Sequence, residues 1–282
     1  TRLDGDKITI LFIYVDDVYI ASNHTDTLDA FHKELSKHFD LKILGIPRQL
    51  LGVQLQWGPN FNAVHLSASK LIKELIEEHK LTFAKYADTP MDPDYKPKKS
   101  DCPTLEERST RRMKALQLQY QQIVGSFIFI SNTCRPDICY ATNKLCRRMS
   151  NPDDKDLAAA KHLASYLAGT ITMGIGYRKS GNTTPYFYAD SDDASDETRK
   201  SCAGYMSMLA DGPIYWKSGM IDSLSLSSCE SEIRAINMAL EPIKESVKLK
   251  QLMTDIEETL HKSQRDVAIE QAYSILTDIP VE

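Results

Sequence analysis

From Ile8 to Tyr14 the chain is a run of β-branched and aromatic residues, which predicts a strand. Val18 to Ala21 predicts a second, shorter one. Val15-Asp16-Asp17 between them leaves room only for a tight hairpin turn. In HTDTLDAFHKELSKHF, Leu28, Phe31, Leu35 and Phe39 recur at helical spacing, with Asp26 and Asp29 in the first turn. QLLGVQLQW, residues 49–57, alternates like a strand; GPN turns it, and VHL begins another. Ser67 or Ser69 can cap the helix SKLIKELIEEHKL. Prolines 90, 93, 97 and 103 make 88–103 an extended surface segment. Helical text resumes near Leu105 and runs with breaks to about Leu167. Its clearest stretch is SNPDDKDLAAAKHLASYLAGT. There Asn151 suits the cap, Pro152 the first helical position, Asp153 and Asp154 the dipole, and Gly169 the end.

Residues 170–185 are rich in Gly, Thr and Ser and mark a boundary, after which the pattern changes. PYFYAD predicts a central strand ending in Asp190; CAGYMSML and PIYWKS predict a hairpin joined through ADG. SSCESEIRAINMAL is a helix, with Ser227 and Glu230 at capping-box spacing. Pro242 either kinks it or separates it from the helix KESVKLKQLMTDIEETL.

A length of 282 residues suits one large domain or, more naturally, two, and 42% apolar with 26% charged residues is ordinary for a globular protein. No stretch of about 18 uncharged apolar residues occurs, so no membrane span is expected. The first residues, TRLDGDKITI, lack Met and a secretory core, and they read as the interior of a longer polypeptide. Six cysteines without a Cys-x-x-Cys pair argue against zinc and a disulfide framework, and make a reducing compartment the default. A net charge of −5 gives no global pull toward nucleic acid. The basic clusters KPKK (96–99), RSTRRMK (108–114) and RR (147–148) each read, taken alone, as solvated faces.

The chemistry concentrates at Asp16 and Asp17. Two like charges side by side on a turn, between apolar strands that limit hydration, are costly unless a cation neutralises them. Hard divalent cations such as Mg²⁺ take such oxygen ligands, and a hairpin suits two-metal phosphoryl transfer. A bare Asp-Asp pair would be an ordinary turn; its apolar frame favours the metal reading.

Tyr14-Val15-Asp16-Asp17 resembles the YxDD hairpin of reverse transcriptases, in the Val form of copia-type LTR retrotransposons. Other stretches resemble the copia-type Pol polyprotein in its order: LGIPRQLLGVQLQW (primer grip), HLSASKLIKELI, ADTPMDP and YQQIVGSFIFISNTCRPDICYATNKLCRRMSNP. YADSDDASDETRKSCAGYMSML, GPIYWKS and SLSSCESEIRAI resemble its RNase H module. The resemblance covers residues 8 to about 255. It implies an α+β or α/β chain of three segments. Residues 1–100 are the end of the palm and the start of the thumb, 101–175 the helical thumb and connection, and 183–282 an RNase H-like mixed sheet with helices.

Under that resemblance Asp16 and Asp17 are two polymerase metal ligands, the third lying on a strand upstream of residue 1. Asp190, ending PYFYAD, and Glu232, in the first turn of the next helix, match two ligands of a second, hybrid-hydrolysing pair. Singly, Asp190 reads as a turn residue and Glu232 as a solvated helix-start carboxylate. In family order the pair reads as ligands whose carboxylates converge. Where the family has Trp after its DAD, Asp193 follows Ala189-Asp190-Ser191-Asp192 here; Asp278, after an apolar run, is a candidate third ligand.

The resemblance further implies Mg²⁺ as cofactor and, as partners, RNA/DNA hybrid, primer–template and the rest of the polyprotein, with no membrane. It implies cytoplasmic virus-like particles, with a nuclear location as the alternative. The expected function is a fragment of an RNA-directed DNA polymerase with an incomplete RNase H, inactive alone as a polymerase. The alternatives are a non-catalytic nucleic-acid-binding or interaction module and a remnant without function.

Overall fold

A computed structural model describes residues 2–4, 7–15, 17–179, 183–192, 201–221, 228–262 and 271–277. In chain order the elements are β1 (Arg2–Asp4), β2 (Lys7–Tyr14), β3 (Asp17–Ser22), α1 (Thr25–Leu35), β4 (Leu41–Gly45), β5 (Gln49–Leu50), β6 (Val53–Trp57), β7 (Ala63–Ser67) and α2 (Ser69–Glu78). Then come α3 (Leu105–Ser109), α4 (Arg111–Thr133), α5 (Cys139–Cys146), α6 (Asp154–Gly169), β8 (Gly174–Arg178), β9 (Tyr186–Asp192), β10 (Cys202–Leu209), β11 (Gly212–Met220), α7 (Ser228–Lys262) and β12 (Gln271–Thr277). Segregated helices and small antiparallel sheets make the chain α+β. Packing groups it into two units, residues 1–50 with 247–282, and residues 51–246. α7 runs through the division.

In the first unit the strand order is β1-β2-β3-β12-β4. One face carries α1: Leu28 and Phe31 pack on Val18, Ile20 and Leu41. α1 stops at Leu35, short of Phe39, which stands outside the helix and exposed. β12 pairs antiparallel with both β3 and β4, so the apolar run before Asp278 belongs to this sheet. Asp278 itself lies outside the described residues.

The second unit is built on α4. Leu116, Tyr120, Ile123, Phe127 and Ile130 recur every three or four residues and form a buried stripe. Ile72 and Leu75 of α2, Leu145 of α5, and Leu163 and Leu167 of α6 close around it, and Leu66 and Ile175 pack from the β6-β7-β8 ladder. Arg135 is buried at the end of α4. It forks onto Asp137 (2.9 and 2.7 Å), donates to the Thr170 carbonyl and hydroxyl, and lies 5.5 Å from the Tyr166 ring. The proline-rich stretch between α2 and α3 is extended, with one short 3₁₀ turn at Lys99–Asp101. Tyr95 pins its middle by donating to the buried Asp156 carboxylate at 2.6 Å, and Arg148 donates to the same carboxylate at 2.9 Å.

Several local expectations shift. Ala68, not either serine, is the cap residue of α2, because Ser67 and Ser69 bond each other at 3.0 Å. Asp153 caps α6 through a capping box with Asp156, which moves the start beyond Asn151 and Pro152. QLLGVQLQW breaks at Leu51 and Gly52, both at positive φ. Pro242 sits inside a continuous α7, so the two predicted helices are one; Ser227 lies outside the described residues. The last sheet, in order β11-β10-β9, is wholly antiparallel rather than mixed, and β9 is its edge rather than its centre among the described residues. Short connections between consecutive strands allow only antiparallel pairing. β10 and β11 meet through Ala210 and Asp211, both at positive φ, the conformation a two-residue hairpin requires.

Candidate functional site

Strands β2 and β3 pair from Thr9↔Ser22 to Tyr14↔Asp17, so the turn holds two residues, Val15 and Asp16. Asp16 lies outside the described residues. Val15 has φ +51°, a conformation costly for a β-branched residue and held here by the flanking ladder. Directly paired residues share a face. Val18 and Ile20 face α1, whereas Asp17 shares the opposite face with Phe12, Tyr14 and Tyr19. The Asp17 carboxylate accepts from the Tyr19 hydroxyl at 3.4 Å, and that hydroxyl also reaches the Gln49 carbonyl at 3.3 Å. Sequence reasoning missed Tyr19, although its i+2 position from Asp17 on a strand places it on the same face. The strand flanks do not dry the turn: Leu11, Phe12, Ile13, Tyr14 and Val15 are all exposed.

The second carboxylate pair lies where β9 meets the start of α7. Ser191 and Ser231 hydroxyls bond at 3.0 Å, and Ala203 of β10 packs on Ala235 of α7. The residues after Asp190 and before Glu232 are therefore in contact. Strand alternation then turns Asp190 to the opposite face, with Tyr188 and Asp192. There it lines a groove of about 370 Å³ walled by Cys139 and Tyr140 and floored by Gly204. Glu232 is exposed on the helix side. The bond between their neighbouring serines brings β9 and the start of α7 together, with alternate residues of β9 facing α7.

Carboxylates are the right donors for Mg²⁺, but the set brought together is short. Among the described residues no three Asp, Glu, His or Cys side chains form a metal-holding group. Among the same residues no helix is long and apolar enough to cross a membrane.

The family model described as reverse transcriptase (RNA-dependent DNA polymerase) matches residues 1–93. Over 258 residues the chain is 31% identical to the retrovirus-related Pol polyprotein from transposon TNT 1-94 of Nicotiana tabacum, covering 90% of this chain and 19% of that protein. Over 233 residues it is 32% identical to the Pol polyprotein from transposon RE1 of Arabidopsis thaliana, covering 82% and 15%. An uncharacterized mitochondrial protein of Arabidopsis thaliana is 29% identical over 228 residues, covering 80% of this chain and 89% of that protein. The chain thus spans less than a fifth of the two polyproteins. No solved structure matches it. With its YVDD hairpin, its reverse-transcriptase match and its collinear relatives, the chain belongs to the Pol polyproteins of copia-type retrotransposons.

Proposed function

We propose that the chain is the segment of a retrotransposon RNA-directed DNA polymerase that supplies Asp16 and Asp17 to nucleotide transfer, and that Asp190 and Glu232 belong to an RNase H-like region acting on RNA/DNA hybrid. The observation that carries this is the hairpin. A two-residue turn next to Asp17 fixes that carboxylate on the uncovered face of the sheet, beside Tyr14 and Tyr19. Mg²⁺ bound there would supply charge neutralisation at the transferring phosphate. This chain's own role is to hold the Asp17 carboxylate in register, through the ladder and the Tyr19 hydroxyl. The described residues bring together fewer than the three ligands that would hold the ion.

The test is primer extension on a primed RNA template with Mg²⁺. A polypeptide limited to residues 1–282 has two of the family's three carboxylates and is expected to give no extension. The same residues within a polyprotein carrying the upstream strand are expected to extend the primer, and Asp17→Asn to abolish it. Template-dependent extension by residues 1–282 alone, lost in Asp17→Asn, would overturn the inactivity. Full activity of Asp17→Asn in the polyprotein would overturn the assignment.

A second reading is a nucleic-acid-binding module without catalysis. It is favoured by Asp190 facing away from α7. Hybrid binding without cleavage in the polyprotein context would select it. Partnership with primer–template and with the rest of the polyprotein, and residence in cytoplasmic virus-like particles, belong to the first reading.

A further inference from the structure

Beside the Asp190 groove lies a group of cations that neither carboxylate set uses. Lys144, on α5, is half-buried. Its ammonium lies 5.6 Å from the Tyr95 ring and 5.8 Å from the Tyr140 ring. Tyr140 is its i−4 neighbour, and Tyr95 is clamped by Asp156. The lysine is therefore held in place by two aromatic faces rather than left to wander in solvent. Among the described residues neither Lys144 nor the exposed Lys96 has a carboxylate within ion-pair distance. Burial, then the charges of Arg147 and Lys96, push the Lys144 ammonium below its ordinary range, with Cys202 and Asp192 opposing. Positive charges gathered on a partly desolvated surface are unfavourable until an anion joins them.

The groove adjoining this cluster supplies the rest of a strand-binding surface. Tyr140 lines both, and Tyr188, which also lines the groove, stands 61% exposed, its ring braced edge-on by Tyr186 at 5.8 Å. A rigid, exposed aromatic next to an unpaired cation is the arrangement that holds a nucleic-acid strand without reading its sequence, phosphate on the cation and base on the ring.

We propose that Lys144 and Lys96 each hold a backbone phosphate of an RNA/DNA hybrid whose strand passes over the groove containing Asp190, with Tyr188 meeting a base or sugar. This rests on the nucleic-acid reading of the chain and adds the face on which the hybrid lies.

The experiment is fluorescence anisotropy of a labelled hybrid with the full 282-residue chain over a salt series. The expected result is that Lys96→Gln/Lys144→Gln weakens binding about tenfold at about 0.1 M salt and lowers the log–log salt slope by about 2, about 0.9 for each lost phosphate contact. Lys96→Gln alone, at an exposed position, lowers the slope by about 1 and leaves the thermal melt unchanged. Lys96→Arg/Lys144→Arg keeps both affinity and slope. Wild type that binds hybrid while the Gln variants keep its affinity and slope overturns this site alone. Wild type that fails to bind hybrid even at low salt overturns the site together with the reading beneath it.

Discussion

The β2–β3 hairpin and helix α4 both carry dense runs of large apolar residues, and the molecule treats them in opposite ways. In α4, Tyr120, Ile123, Val124 and Phe127 are wholly buried, closed in by three other helices. In the hairpin, Ile13 and Val15 are 60% and 72% exposed, and only alternate residues of β3 reach the cover of α1. Apolar text therefore marks two different things here. In α4 it is a stripe that holds the second unit together. In the hairpin it is stiff, β-branched strand that fixes the direction of a carboxylate without shielding it from water.

The sharpest way to break this contrast is to damage the second unit. Arg135→Ala removes a fully buried guanidinium from Asp137 and Thr170 and is expected to cost about 3–5 kcal/mol in urea unfolding. Phe127→Ala should cost about the same, through a cavity. A loss under about 1 kcal/mol for both, no more than an ordinary surface change, would mean that the unit's core lies elsewhere.

Alkaline pH probes the same unit. Burial pushes the Tyr177 hydroxyl, which donates to the Pro213 carbonyl, up to about 12. Burial likewise raises Tyr95 and Tyr120. A raised folded-state value means the unfolded chain loses its proton first. The contribution is complete below pH of about 10 and is lost as pH climbs toward 12. For Tyr177 this amounts to about 3 kcal/mol, and Tyr177→Phe should flatten that limb of a stability–pH curve. An unchanged limb in that variant would remove Tyr177 from the account.

In the hairpin the expected effects are smaller and one changes sign. Val15→Asn relieves a β-branched residue from φ +51° and should stabilise the first unit by about 1 kcal/mol in thermal melts. Ile13→Ala, at an exposed position, should move stability by less than about 0.5 kcal/mol. A large loss there would show that the hairpin's apolar side chains carry stability after all.

What the sequence could say followed from what each element depends on. Strands β2 and β3 and the short turn were legible because β-branched runs flank it, and α4 because its stripe is regular. Caps were legible to within two or three residues: Asp153 displaced Asn151 because its partner Asp156 sits at the right offset, a signal that competes with the proline. The edge position of β9 was not legible, since strand order depends on pairing and not on a strand's own residues. Nor was the face of Asp190, because a period of two fixes alternation but not which set looks at α7. The Lys144 cluster joins α5 to a loop nearly fifty positions earlier; only the Tyr140–Lys144 spacing on one helix hinted at it.

The bond from Tyr95 to Asp156 has a consequence for how the chain opens. The stretch between α2 and α3 is long and proline-rich, and an untied loop of that length would wander and be cut anywhere along it. Tied at its middle to a buried carboxylate, and before that to Ser165 and His162 of α6 through Lys85, Ala87 and Thr89, it behaves as several short loops, each with less closure entropy to lose. Fraying of one part need not free the next, and a protease meeting the folded chain finds several brief targets in place of a single broad one.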